Sequence, residues 1–263
     1  ATIPPSQDGF FAAEIGRARA LQAGGQTEAA LEVLRALTRR HPTLVSVHLA
    51  LADALRREER WAEAVTSYDA AVALAGPPEA DDWSIYYSRG IARERLKDWA
   101  RAEPDFRQAL ALNPDQPQVL NYLGYSFIDR NENLDEALAM IERAVAQSPD
   151  SGYIVDSLAW GLFRLGRYAE ALAPMERASL LEPVDPTVTD HLGDVYWAVD
   201  RKMEARFQWR RALSFNPDEE QAARIRKKLE IGLDAVLAEE GAPALQAVAD
   251  RAAQAAPPVK DAD

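Results

Sequence analysis

The chain has 263 residues, 48% of them hydrophobic and 27% charged, with a formal net charge of −12. This is the balance of a folded globular chain rather than a disordered one, and no apolar run reaches the eighteen residues that a membrane span needs. The absence of cysteine removes disulfides, thiolate metal sites, iron–sulfur clusters and cysteine nucleophiles, while the acidic balance opposes binding to nucleic-acid phosphates.

Residues 1–10, with Pro4 and Pro5, read as a linker, and the opening Ala1 is what a trimmed start would leave, so the compartment stays open. From residue 11 a period takes over. Ala30, Ala64, Ala102, Ala137, Ala171 and Ala205 are separated by 34, 38, 35, 34 and 34 residues. A breaker follows each after twelve positions: Pro42, Gly76, Pro114, Pro149, Pro183 and Pro217. A small residue precedes each by twelve or thirteen: Ala18, Ala52, Gly90, Gly124, Ala159 and Gly193. The phase defines six units, 11–44, 45–78, 83–116, 117–151, 152–185 and 186–219, each predicted as a helix, a tight turn, a second helix and a stop.

The fifth unit shows the grammar. Val155, Leu158, Ala159 and Leu162 recur at three- and four-residue spacing and form a buried stripe. Gly166 supplies the turn, Tyr168, Ala171, Leu172 and Met175 start the second helix, and Pro183 ends it. The small residues belong where two helices cross closely. One such unit cannot bury its apolar face alone, so the units must stack. Residues 79–82 are an insertion, one extra residue near Asn133 lengthens a turn, and Pro104 and Pro174 fall inside second helices and are expected to bend them.

Beyond the sixth unit, residues 220–240 are predicted to form one capping helix with Ala222, Ile225, Leu229 and Leu233 turned inward. Residues 241–263, rich in Ala, Pro and charge, are expected to be a poorly ordered tail. Between Arg201 and Lys228 the chain carries nine Lys or Arg against four Asp or Glu. Lys202, Arg206 and Arg210 form a stripe, and Arg224, Arg226, Lys227 and Lys228 follow it. The segment reads as a solvated face or as a docking patch, comprising Lys202, Arg206, Arg210, Arg224, Lys227 and Lys228, for an acidic surface on a partner or a second copy.

No constellation points to catalysis, to a metal or to a cofactor. There is no glycine-rich phosphate loop, no His-Glu-x-x-His and no Gly-x-Ser-x-Gly. His41, His48 and His191 lack the further ligands that a metal site needs.

Leu192-Gly193 with Tyr196, Ala205 with Trp209, and Pro217 resemble the tetratricopeptide repeat pattern, as do Leu123-Gly124 with Phe127, Ala137 with Ile141, and Pro149. The resemblance implies an all-α, right-handed solenoid of six helix pairs with a carboxyl-terminal cap. In the third unit Arg93 stands where the pattern has its final tyrosine, which challenges the packing of that helix. In this family the first helices line a concave groove that binds polypeptides. Carried onto this chain, the groove positions are Gln118, Asn121, Tyr125, Ile128 and Asp129, then Tyr153, Asp156, Trp160, Phe163 and Arg164, then Thr187, Asp190, Asp194, Trp197 and Ala198. The expected contact set is Asn121, Tyr125, Tyr153, Asp156, Trp160, Phe163, Arg164, Asp190, Asp194 and Trp197, aromatics that supply contact area beside acids that select against acidic ligands. The alternative is that these aromatics pack against the neighbouring unit.

The stretches LNYLGYSFIDRNENLDEALAMIERAV, GYIVDSLAWGLFRLGRYAEAL and HLGDVYWAVDRKMEARFQWRRALSFNP are also similar to large exported tetratricopeptide proteins of Gram-negative bacteria. That resemblance implies a periplasmic or outer-membrane inner-face location, a lipid anchor upstream of Ala1, and an adaptor that delivers substrates to a carboxyl-terminal processing protease. The expectation is therefore a non-enzymatic scaffold for a protein or peptide. A substrate-reading module of a larger enzyme and a self-assembling homo-oligomer are the alternatives.

Overall fold

The computed structural model describes the backbone of residues 8–255 and the side chains of residues 9–250. Among the described residues there are fifteen α-helices, one 3-10 turn at Ala80–Asp82 and no strand. The first twelve helices form pairs: α1 (Asp8–Ala23) with α2 (Thr27–Arg40), α3 (Val45–Arg57) with α4 (Trp61–Ala75), and α5 (Trp83–Arg95) with α6 (Trp99–Leu112). Next come α7 (Pro117–Arg130) with α8 (Leu134–Gln147), α9 (Gly152–Arg164) with α10 (Tyr168–Leu181), and α11 (Pro186–Ala198) with α12 (Lys202–Leu213). The fold class is an all-α repeat solenoid, built as two compact units that divide between Pro114 and Asp115.

The periodic alanines are the contact points of the pairs. All six are at most 1% exposed, because a side chain longer than a methyl would hold the two backbones apart. The small residues preceding them act in the same way. A Cβ built on Gly193 would lie 2.4 Å from the Trp209 ring, so the glycine makes the seat for that buried indole. Each turn between paired helices contains a residue in the left-handed region: Gly25, Glu59, Lys97, both Asn131 and Asn133, Gly166 and Asp200. The extra residue near Asn133 is accommodated by using two such residues in one turn. Pro104 and Pro174 lie within α6 and α10, which continue through them.

In the first unit, Leu31, Leu34, Val47, Leu55 and Tyr68 form the core. Arg93 settles its unusual place by ion pairing. Arg89 and Arg93 each bridge Asp69 and Asp105 at 2.7–2.8 Å. A buried carboxylate shared by two forked guanidiniums is a satisfied group, so charge replaces the aromatic contact there. His41 packs edge-on against Phe11, and His48 Nε2 lies 2.9 Å from the Pro42 carbonyl.

In the second unit the cap departs from the single helix that was predicted. Gly232, at φ 85°, breaks it into α13 (Glu219–Ile231) and α14 (Leu233–Glu239). The predicted stripe does face inward, with Ala222, Ile225 and Leu233 buried and Leu229 half-buried. Residues 245–255, expected to be part of a poorly ordered tail, form helix α15 (Leu245–Ala255), whose Leu245 and Ala249 pack on the core of this unit. The linker expected over residues 1–10 gives way to α1 from Asp8, and its first seven residues lie outside the described ones. No helix among the described residues is long and apolar enough to cross a membrane.

Candidate functional site

The groove positions of the second unit fall into columns, one residue per first helix. One column runs Asn121, Asp156, Asp190 and a second Tyr125, Trp160, Asp194. Continuing the period by 34 residues leads to Arg224 and Lys228 on α13. This helix therefore takes the place of the first helix of a seventh unit, and it covers the sixth.

That covering consumes the predicted acids. Lys228, drawn from the sequence as part of an exposed docking patch, is fully buried. Its Nζ donates to Asp190 at 2.8 Å and to Asp194 at 2.7 Å. Asp194 also accepts from Trp209 Nε1 at 2.9 Å, and Arg224 lies 3.8 Å away. Burial drives the Asp194 pKa up, and the neighbouring Asp190 adds to that against the pull of Lys228. Asp156 is buried as well and faces His191 Nδ1 at 3.0 Å. Burial alone would lower the His191 pKa, but Asp156, with Asp190 and Asp194 beyond it, outweighs burial and raises it. These three acids are thus internal ion-pair partners in the structure, not an open acidic wall.

The aromatics divide similarly. Trp197 is 8% exposed, and its Nε1 donates to Asp234 at 2.7 Å. Phe163 is also buried. Trp160 is half-buried and stacked between Phe163, 4.9 Å away at 9°, and His191, 4.0 Å away at 11°. Tyr125 is half-buried, with its hydroxyl pKa pushed up to about 12 by burial and by Asp156 and Asp129. Asn121 is half-buried, and its buried Oδ1 has no hydrogen-bond partner among the described residues, whereas Tyr153 stands exposed in the first turn of α9.

The basic patch does not form one free surface. Lys202 Nζ donates to the Trp197 carbonyl at 3.0 Å and sits over that ring, and Arg206 donates to the Leu229 carbonyl. Arg224 pairs with Glu240 at 2.8 Å, and Lys227 with Glu239. Of the six, Arg210 alone is exposed with no hydrogen bond or ion pair among the described residues.

An opening remains near the carboxyl-terminal end of α9. A cavity of about 670 Å³ lies between the end of α9, the turn residue Asn131 with the start of α8 at Leu134, and the carboxyl-terminal helices. Trp160, Phe163 and Arg164 form one wall, while Leu233, Leu237, Leu245 and Val248 form much of the other. The far wall is held in place by Tyr168, whose hydroxyl donates to the Leu245 carbonyl at 2.9 Å. A Cβ on Gly166 would come within 2.6 Å of the Val248 carbonyl oxygen, so glycine serves there both for its φ of 76° and for the close approach of α15. The volume and the mostly apolar walls suit a few large side chains. Leu134, Leu237, Leu245 and Val248 were not among the residues expected at the site. They come from the start of α8, from the predicted cap and from the supposed tail, none of which the groove pattern reaches.

Against this geometry stand the known proteins. A family model described as tetratricopeptide repeat matches residues 15–82 and 87–152, just over half of the chain. The chain belongs to the tetratricopeptide repeat family. A relative among curated proteins, the TPR repeat-containing protein PA4667 of Pseudomonas aeruginosa, is 32% identical over 195 residues. Those residues are 74% of this chain but only 32% of that protein, so the chain spans about a third of the relative's length. Among solved structures, the Cut9–Hcn1 hetero-tetramer of APC/C aligns with TM-score 0.69 and 18% identity, covering 84% of this chain and 42% of that one. YrrB, described as a TPR protein with an unusual peptide-binding site, aligns with TM-score 0.56 and 18% identity, covering 75% and 99% respectively. At these identities the structural likeness is one of fold.

Proposed function

We propose that this tetratricopeptide chain is a non-catalytic scaffold that holds a segment of a partner polypeptide in the cavity of its second unit. The tetratricopeptide fold supports a protein–protein interaction scaffold, and the observation that supports this site is the apolar cavity of about 670 Å³ beside the stacked Trp160. Buried aromatic and aliphatic area would supply affinity, and holding two polypeptides on one chain would raise their local concentration. The finer reading is an adaptor of the periplasm or the inner face of the outer membrane, tethered by a lipid outside this segment, that hands substrates to a processing protease. It rests on the likeness to exported Gram-negative proteins and on the relative in Pseudomonas aeruginosa.

The site is tested by placing a photo-crosslinking amino acid at Leu134 or Val248, at the cavity, and at Phe207, on the exposed outer face of α12. Irradiation in the native cell extract should join polypeptides to the two cavity positions and not to position 207. Equal capture at all three, or capture at 207 alone, would sink the cavity as the binding site.

A further inference from the structure

We infer that the segment this cavity takes is an acidic amphipathic helix of a partner protein, with its apolar face against Trp160 and a side-chain carboxylate on Arg164. The inference rests on the reading of the cavity as a polypeptide site and specifies its occupant.

Charge comes first. Four charged side chains line the cavity: Arg164, Asp194, Arg224 and Glu240. Three are satisfied within the fold, since Asp194 is held by Lys228 and Trp209, and Arg224 pairs with Glu240. Arg164 is half-buried at the end of α9 and makes no hydrogen bond or ion pair among the described residues. The cavity therefore presents one free guanidinium. A planar fork of N–H donors, partly withdrawn from water, is matched in shape and charge by a carboxylate. The chain as a whole carries −12, which repels acids at long range, so an acidic partner must be held by this short-range contact.

Backbone accounting chooses the helix. The walls, α9 on one side with α14 and α15 on the other, are helices whose own backbone groups are already paired along their length. An extended segment laid there would leave its backbone groups unsatisfied, whereas a helix brings its hydrogen bonds with it. The structure already shows a helix accepted beside the α9 wall. Helix α15 packs Leu245 and Ala249 on the same core and takes one hydrogen bond, from Tyr168. The space left between α15 and α9 is lined by Leu134, Trp160 and Leu237, which suit apolar side chains spaced three and four residues apart.

The test is selection of a phage-displayed library of random sixteen-residue peptides on the intact chain. The enriched sequences should carry apolar residues at helical spacing with at least one Asp or Glu, and the synthetic peptides should become helical when bound. Their binding should be lost with Leu134→Glu and weakened about tenfold or more by Arg164→Gln. Arg164→Glu should reverse the selection toward Lys-bearing peptides, a change that loss of folding cannot produce. Peptides that need Leu134 but bind Arg164→Gln undiminished would overturn the carboxylate contact and leave the polypeptide site standing. Peptides that bind in an extended form would overturn the helix. If no enriched peptide depends on the cavity, both this inference and the site itself fall.

Discussion

Glu59, Lys97 and Asp200 occupy the turn positions that Gly25 and Gly166 occupy elsewhere, with φ values of 56°, 63° and 64°. A residue with a Cβ costs about 1–2 kcal/mol in that region. Glu59 and Lys97 are exposed and form no ion pair among the described residues, so replacing them loses no such contact there. Glu59→Gly or Lys97→Gly should stabilise the first unit by roughly 0.5–1 kcal/mol after the entropy of the more flexible unfolded glycine is subtracted. Urea unfolding followed by circular dichroism would show it, and an unchanged or lower midpoint would refute the strain. Lys228 is the opposite case. It neutralises Asp190 and Asp194 in a fully buried setting, so Lys228→Ala should cost about 3–5 kcal/mol by leaving the acids uncompensated. Lys228→Met combined with Asp190→Asn and Asp194→Asn should recover much of that loss. A surface-like effect below about 0.5 kcal/mol for Lys228→Ala would argue against the buried cluster.

Helices α13 and α15 carry the difference between a generic repeat array and this site. The first repeats the groove columns one period further, placing Arg224 and Lys228 where a seventh unit would place its groove residues. Its inward face thereby closes the sixth pair, which would otherwise end as an open apolar surface. The second lies against the turn between α9 and α10 through Leu245, Val248 and Ala249. Ending the chain after Glu240 should uncover Trp160 and Tyr168, shift tryptophan emission to the red and lower stability by about 2–3 kcal/mol, the value of a few partly buried apolar side chains. Emission and melting temperature matching those of the intact chain would mean that α15 contributes nothing to the packing.

At the scale of the whole molecule, unfolding should depend on pH in an unusual direction. His191 has its pKa raised by Asp156, and Asp194 has its own raised by burial. In both cases the folded state holds its proton more tightly than the unfolded chain, so stability falls as pH rises through each window. The His191 contribution is complete below its unfolded value near 6.5 and is lost as pH climbs through the higher folded value. Melting temperatures taken from pH 6 upward should therefore decline, and His191→Gln should flatten that decline. A His191→Gln profile as steep as that of the parent would remove the histidine as its cause.

Much of the architecture was legible beforehand because it depends on local rules repeated six times. The alanine period located the helix pairs, and the breakers located their ends, since each works through contacts within a single unit. The site was legible only in part. Trp160, Phe163 and Arg164, all groove positions of the repeat pattern, line the cavity, whereas Asp190, Asp194 and Trp197 are engaged inside the fold. The continued period would have pointed to this: Asp194 and Lys228 stand one repeat apart, a distance at which opposite charges on neighbouring first helices meet. Nothing comparable marked the tail, because Leu245 and Val248 obtain their partners only when α14 brings the chain back across α9. The sequence by itself determined the helix pairs, their small-residue contacts and the family, all of which follow from spacing within one repeat. Which charges are spent inside, which guanidinium is left free and what closes the cavity were decided only by tertiary structure, because burial and pairing depend on residues of different helices, from 12 positions apart at Arg93 and Asp105 to 38 at Asp190 and Lys228.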